Sequence, residues 1–269
     1  MVRRRGRAMR RRGYGHLPDR ISDTLATPHV TALIGVAALI GVVGSPPLEV
    51  DASSLLNEIP DQGPTNSCVG QALATSIYLH AKSAGRPINR PSAAAIYALA
   101  RLGDGARHPL PDTGSRPTIA MVEAQTNGLV ADARWPLRVD TVLDVPPLDV
   151  FENALDAKLD AYYRIPSGPG ASTMIKLAIA MGCYPIFAMP VDEAYERYDG
   201  SGVYQGVTGP VLGGHMQCFA GYYADSFIVS NSWSDHWGIR GFARVSSSWM
   251  DSYAVTDILV PTTSPARVT

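Results

Sequence analysis

The feature that most constrains this chain is a change of hydrophobic period at Asp144-Val145-Pro146-Pro147. Before it, Val69, Leu73 and Ile77, with Ala72 beside them, recur at four-residue spacing, and Gly85-Arg86-Pro87 supplies a stop, so a long helix starts near Cys68. Pro91-Ser92 opens a second helix through Ile96 and Leu99, and Pro117-Thr118 opens a third that ends at Asn127-Gly128. After the change, one amphipathic helix is expected on Phe151, Leu155 and Leu159, followed by β-rich runs at Tyr162–Ile165, Tyr184–Val191, His215–Tyr223, Ser226–Asn231 and Gly241–Val245. A helical half followed by a β half predicts an α+β fold. With 269 residues, 46% hydrophobic and 17% charged, the chain can build one large domain or two packed lobes.

Chemistry concentrates first at Asp61–Ala74, where a loop carrying Gly63 and Pro64 runs into the first long helix with Cys68 at the junction. Backbone N–H groups and the positive helix end favour thiolate over thiol there. Gln62, six residues upstream, can aim its amide at the same point and form an oxyanion hole with the Cys68 N–H. Most lone cysteines at such a place are small buried hydrophobes. The second concentration is Gly213-Gly214-His215, followed by an apolar run, Ser230-Asn231-Ser232-Trp233 and then Trp237-Gly238. His16, His29, His80, His108 and His236 have no comparable setting.

Glutamine, cysteine six residues on, a distant histidine, and asparagine sixteen residues later in Asn-Ser-Trp together resemble the papain family of cysteine peptidases, over roughly residues 50 to 260. The resemblance implies a two-lobed papain-like fold, with a helical lobe over 46–147 and an antiparallel β-barrel-like lobe over 148–260. Residues 1–45 form an arm and 261–269 a tail. It implies that Cys68 attacks a peptide carbonyl, that His215 forms an ion pair with it and shuttles the proton, and that Gln62 and the Cys68 N–H hold the oxyanion. Asn231 would orient the His215 ring, and Trp233 would cover that bond from water. Substrate binding falls on Thr113 and Gly114, where Asp112-Thr113-Gly114 matches the family's substrate-binding loop and pairs antiparallel with peptide, and on Gly213 and Met216.

The chain departs from the family's usual pattern at Val69, commonly tryptophan, at Thr65, commonly a bridged cysteine, and at Met216, commonly smaller. The expected activity is a cysteine-type peptidase acting on peptide or protein through an acyl-enzyme, with no cofactor. Alternatives are an amidase or acyltransferase on the same residues, or a catalytically weak peptide-binding module of a phage or cell surface. No cysteine or histidine cluster has metal-ligand spacing, and no phosphate or dinucleotide glycine pattern occurs.

Net charge is -1 overall, yet Met1–Arg20 holds eight arginines and one aspartate, leaving the remainder at 15 basic and 23 acidic residues. A solvated tail that requires no nucleic acid is the expectation for this stretch. Val30–Val43 is apolar but, at fourteen residues, too short to span a bilayer as a helix. It reads either as part of an export signal or as an arm packed on the body. Cys68, Cys183 and Cys218 are too few and odd for a disulfide framework, and the last two read as buried structural thiols. A reducing, cytoplasmic setting is therefore expected ahead of a secreted or cell-envelope one, with the arm retained and docked.

Overall fold

The computed structural model describes residues 12–33, 46–152, 154 and 157–263. Its helical half holds α1 (Ile21–Ala26), the short strand β1 (Val50–Asp51), α2 (Cys68–Ser83), α3 (Ala93–Gly103) and α4 (Pro117–Thr126). The second half holds β2 (Ala161–Ile165), α5 (Ala171–Ala180), β3 (Ile186–Val191), α6 (Glu193–Glu196), β4 (Gly213–Tyr222), β5 (Ser226–Ser230), β6 (Phe242–Ser246), α7 (Ser247–Met250) and β7 (Thr256–Thr262).

Helix α2 is the central element. Val69, Leu73 and Ile77 are almost completely buried, and so are Gln71, Thr75 and Ser76 on its other sides, so the helix is enclosed between α3 and the sheet. Burial of each large aliphatic side chain is worth about 1.5–3 kcal/mol. Gly70 permits the close crossing, because a Cβ there would lie 2.3 Å from the Ala93 carbonyl oxygen. Ser76 donates to the Tyr184 carbonyl just before β3, tying the helix to the strand side. In α3 the Ser92 side chain caps the helix, accepting from the Ala95 N–H at 3.0 Å, and Pro117 opens α4 as the sequence predicts.

The seven-stranded sheet runs β2-β7-β3-β4-β5-β6, with β1 on β4, and the described pairings are antiparallel. No pairing among the described residues joins β2 to β6, so the path is open and the expected barrel-like closure is not formed. Curvature comes instead from register shifts between Ile186 and Ala188 and between Phe219 and Gly221. No α-helix on Phe151, Leu155 and Leu159 is found among the described residues; Leu148–Phe151 is a 3₁₀ turn after two prolines, with Leu148 exposed to water. Residues 153, 155 and 156 lie outside the described set.

Residues 12–33 pack along the body. Val30 is fully buried, its N–H bonds the Arg164 carbonyl at 2.9 Å, and Arg164 N–H bonds Pro28 at 2.7 Å. The rest of the apolar Val30–Val43 run, from residue 34, lies outside the described residues. Cys68, Cys183 and Cys218 are free and buried, and no described helix is long and apolar enough to cross a membrane.

Candidate active site

Cys68 is the first residue of α2, preceded by Ser67, and is fully buried. The main chains of Met216 and Gly15 lie near its sulfur. Met216 follows His215 on β4, so the thiol lies against the strand that carries the imidazole.

His215 has its two ring nitrogens in different situations. Nε2 is 2.8 Å from Asn231 Oδ1, at the end of β5, while Nδ1 is buried without a hydrogen-bond partner. Asn231 Oδ1 also accepts from the Ser232 N–H at 2.8 Å, which fixes the amide that fixes the ring. Trp233 stacks on the imidazole with centroids 4.6 Å apart and planes 23° apart, and is itself buried, so it covers the His215–Asn231 bond.

Gln62 is buried. Its Nε2 donates to the Thr65 carbonyl at 2.8 Å and to the Gly13 carbonyl at 3.1 Å, and its Oε1 accepts from Ser232 Oγ at 2.5 Å. Ser232 thus braces both Asn231 and Gln62. Gly114 has φ +93, with its N–H donating to the Tyr97 hydroxyl at 3.0 Å, and that hydroxyl donates to Asp112 at 2.7 Å. Asp112 also accepts from the Asn66 N–H, linking the glycine loop to the segment just before Cys68. Buried Arg101 holds the same loop through the carbonyls of Leu110, Pro111 and Val142.

The space between these groups is filled by the chain's own residues 12–19. Gly15 carbonyl accepts from the Ser115 N–H at 2.9 Å, Leu17 N–H donates to Ser115 at 3.1 Å, and His16 N–H donates to Gly214 at 3.4 Å. Arg12 lies over the Trp233 ring at 4.5 Å; Tyr14 meets His215 and Trp233 edge-on and donates to Glu196 at 2.7 Å. His16 reaches Asp257 at 2.6 Å, and Asp19 accepts from the Thr118 N–H at 3.0 Å. His16 pairs with Ser115 in parallel, the sense opposite to the antiparallel pairing expected of a substrate on this loop. Glycines make the fit possible: a Cβ on Gly13 would sit 1.9 Å from the Thr65 oxygen, and one on Gly15 1.7 Å from the Asn66 oxygen.

This cover changes the electrostatics. Burial pushes the Cys68 thiol up to about 11, against smaller lowering by backbone hydrogen bonds. Burial likewise pulls His215 down to about 4, against the raising effect of Asn231. In the covered state both groups are therefore neutral at pH 7, and the expected thiolate–imidazolium pair is not the favoured form. The physical cause is desolvation: His215, expected at an open cleft edge, has no exposed surface.

Of the substrate-binding residues expected from the sequence, Gly114 and Gly213 touch the arm. A Cβ on Gly114 would meet the Gly15 carbonyl at 2.2 Å, and one on Gly213 the Tyr14 side chain at 2.6 Å. Met216 is buried beside Cys68, whereas Thr113 is exposed. The sequence reading did not single out Ser232, Tyr97, Asp257 or residues 12–19. Only Gly13-Tyr14-Gly15, a small-residue break after the arginines, could have signalled the last.

A nucleophile-type cysteine heading a helix, opposite a strand histidine tied to an asparagine and roofed by tryptophan, on helices packed against an antiparallel sheet, defines the papain-like class. Residues 149–260 match the model of the papain family cysteine protease. That match covers the second half of the chain, and the fold as a whole is papain-like. An uncharacterized peptidase C1-like protein of Acanthamoeba polyphaga mimivirus is 28% identical over 207 residues, covering 70% of this chain and 63% of that protein. A cathepsin B-like cysteine proteinase of Schistosoma japonicum is 32% identical over 65 residues, 21% of this chain and 19% of that one. The chain thus spans less than two thirds of the length of either relative. Among solved structures, xylellain, a cysteine protease from Xylella fastidiosa, superposes with TM-score 0.77 at 22% identity, covering 96% of this chain and 98% of xylellain. The bromelain protease of Ananas comosus, solved with the E64 inhibitor, gives 0.63 at 20% identity, covering 80% and 99%. At these identities the solved structures establish the fold.

Proposed function

We propose that this protein is a cysteine-type peptidase that hydrolyses peptide bonds, and that the arrangement described is its latent, covered state. The observation that carries the reading is the division of labour on His215. One nitrogen is committed to Asn231 at 2.8 Å, and the other is buried without a partner, on the strand whose next residue, Met216, lies beside the Cys68 thiol. A general base for a thiol needs that free nitrogen and that fixed ring.

Once the cleft is uncovered, water and the α2 N-terminus favour the thiolate beside imidazolium. The Cys68 sulfur attacks the scissile carbonyl carbon, and the developing oxyanion takes hydrogen bonds from Gln62 Nε2 and the Cys68 N–H. The C–N bond breaks, and His215 gives its proton to the leaving amine. Water, deprotonated by His215, then opens the thioester to carboxylate and restores the thiol. Support for the oxyanion role comes from the covered state, where Gln62 Nε2 already holds a peptide carbonyl, that of Gly13. A covalent epoxysuccinyl thiol inhibitor, applied to the full chain with the modified residue located by mass spectrometry, tests the assignment. Modification at Cys68 with loss of peptide hydrolysis is expected; modification confined to Cys183 or Cys218 overturns it.

A further inference from the structure

Residues 12–33 grip the body at two separate places. Residues 12–20 fill the cleft through the contacts given above and end in Arg20, whose guanidinium meets Asp104 at 2.6 Å. Residues 24–30 hold the outer edge of the sheet instead. Strand β2 is the last in its path, and the free edge of such a strand leaves N–H and C=O groups unpaired. Here His29 bridges Arg164 in parallel. The Val30 N–H donates to the Arg164 carbonyl at 2.9 Å, the Arg164 N–H to the Pro28 carbonyl at 2.7 Å, and Arg164 Nε to the Thr24 carbonyl at 3.1 Å. Val30 has no exposed surface and Thr27 is buried, so the edge is packed as well as hydrogen-bonded.

Between the two grips lies α1. None of its six residues is buried, and Ile21 and Leu25, one turn apart on the same face, are 80% and 77% exposed. A helix this short does not hold itself together in water, so it depends on the anchors at its ends and opens more readily than either of them. A protease needs a stretch that can open and side chains that it can reach. Helix α1 offers both, whereas the buried segments on either side offer neither. The helix is also a short tether: only residues 20–27 separate Asp19, held by Thr118, from Pro28, held by Arg164. Such a tether keeps the cleft-filling segment at an effective concentration of about millimolar.

We propose that α1 is a proteolytic processing site that divides the arm in two. A cut between Arg20 and Leu25 frees the cleft-filling segment, while residues 27–33 stay on as the permanent outermost strand of the sheet. The step is hydrolysis of one peptide bond. Water adds to the carbonyl carbon, the C–N bond breaks, the new carboxylate leaves with the freed segment, and the new amine stays at the head of the retained one. Cover then changes from a unimolecular to a bimolecular equilibrium. With protein at about 1 µM, the freed segment stands at about a thousandth of its tethered concentration, and protection of Cys68 falls by about 10³-fold. This rests on the covered state proposed above, but its readout, alkylation of Cys68, needs no turnover.

The test uses the full chain in two measurements. In the first, thermolysin, which cuts before accessible aliphatic residues, acts under native conditions and each bond is followed by mass spectrometry. The bond before Ile21 or Leu25 should open at least about tenfold faster than those before Val30 and Leu33. Equal rates, or faster cleavage before Val30 or Leu33, would overturn the division. Val30→Asp, which puts a charge into the packed edge, should speed the cut before Leu33 until the difference is gone; a difference that survives would overturn the retained strand. In the second, the recognition sequence of a site-specific protease replaces residues 21–26, and Cys68 labelling by iodoacetamide is read before and after the cut at about 1 µM protein. Labelling should be slow before, rise at least about 100-fold after, and slow again when a synthetic peptide of residues 12–20 is added at about 1 mM. Fast labelling before the cut, or no change on cutting, overturns the proposal. Hydrolysis of a fluorogenic peptide is followed in the same samples. A cut chain whose Cys68 labels rapidly but which hydrolyses no peptide rejects the peptidase reading and leaves the processing site standing.

Discussion

Replacing Gly15 with alanine isolates the arm's grip on the cleft. The added methyl would lie 1.7 Å from the Asn66 carbonyl oxygen, with the Asn66 carbon and Cα at 2.3 and 2.7 Å. All three are backbone atoms beside the head of α2, so no rotamer relieves the clash and the arm must move by more than 1 Å to restore ordinary contact. That displacement breaks the hydrogen bonds of Gly15 with Ser115, Leu17 with Ser115 and Gly13 with Gln62, at 2.9, 3.1 and 3.1 Å. At a net 0.5–1.5 kcal/mol each, the loss is about 2–4 kcal/mol, or about 30- to 1000-fold in the uncovering equilibrium. Cys68 has no exposed surface in the covered state, so its alkylation requires uncovering, and with fast exchange the pseudo-first-order rate rises by that same factor. The assay is iodoacetamide labelling followed by peptide mapping, which separates Cys68 from Cys183 and Cys218. Far-UV circular dichroism should be unchanged, because α2 and the sheet keep their own packing. A Gly15→Ala protein whose Cys68 labels within twofold of the parent would refute the claim that these glycine contacts cover the thiol.

Acid should loosen the cover as well. His215 titrates near 4 when covered by burial, against an ordinary 6.5, so above pH 6.5 it is neutral either way, while from pH 6.5 down to 4 only the uncovered imidazole gains a proton. That shift favours uncovering by at most about 3 kcal/mol, and a disulfide reagent that attacks neutral thiols in acid should modify Cys68 progressively faster across this window; a flat profile would remove the linkage. Cys68→Ser should abolish peptide hydrolysis in the uncovered protein, and Asn231→Ala should leave partial turnover because it orients His215 and transfers no proton; equal and complete loss in both, with the fold intact, would contradict the orienting role. Gln62→Ala should lower kcat roughly 10²- to 10³-fold with little change in KM, as for a donor aimed at developing charge, and an effect confined to KM would reduce Gln62 to a binding residue.

What could be read from the sequence was set by local rules. The stripe of Val69, Leu73 and Ile77, the Ser92 cap and the Pro117 start each carry their signal within a few residues, and α2, α3 and α4 follow them. Strands β3 to β6 lie within two residues of their expected limits for the same reason. The misses are cases where distant chain decides. Phe151, Leu155 and Leu159 share helical spacing, yet Phe151 ends a 3₁₀ turn that follows Pro146-Pro147, and Leu159 packs against the main core. Strand β7 and helix α5 carry no pattern that separates a buried strand from a buried helix without knowing their neighbours.

The site divides along the same line. Gln62, Cys68, His215 and Asn231 are visible as a spaced set of chemically apt residues, but spacing does not show whether the cleft between them is open. The answer depends on residues 12–19, about fifty positions before Cys68 in sequence and beside it in space, through two glycines, Gly13 and Gly15, whose only signal is the lack of side chains. The same four residues that favour an ion pair in water favour a neutral pair when covered, because each loses hydration that the other's charge at a protein-like dielectric does not replace. The latency we propose therefore needs no distortion of the candidate groups: His215 keeps its bond to Asn231, and Gln62 keeps an occupied donor. The parallel sense of the His16–Ser115 pairing adds a second safeguard, since an arm lying opposite to the expected direction of a substrate does not present a carbonyl to Cys68 in the productive sense.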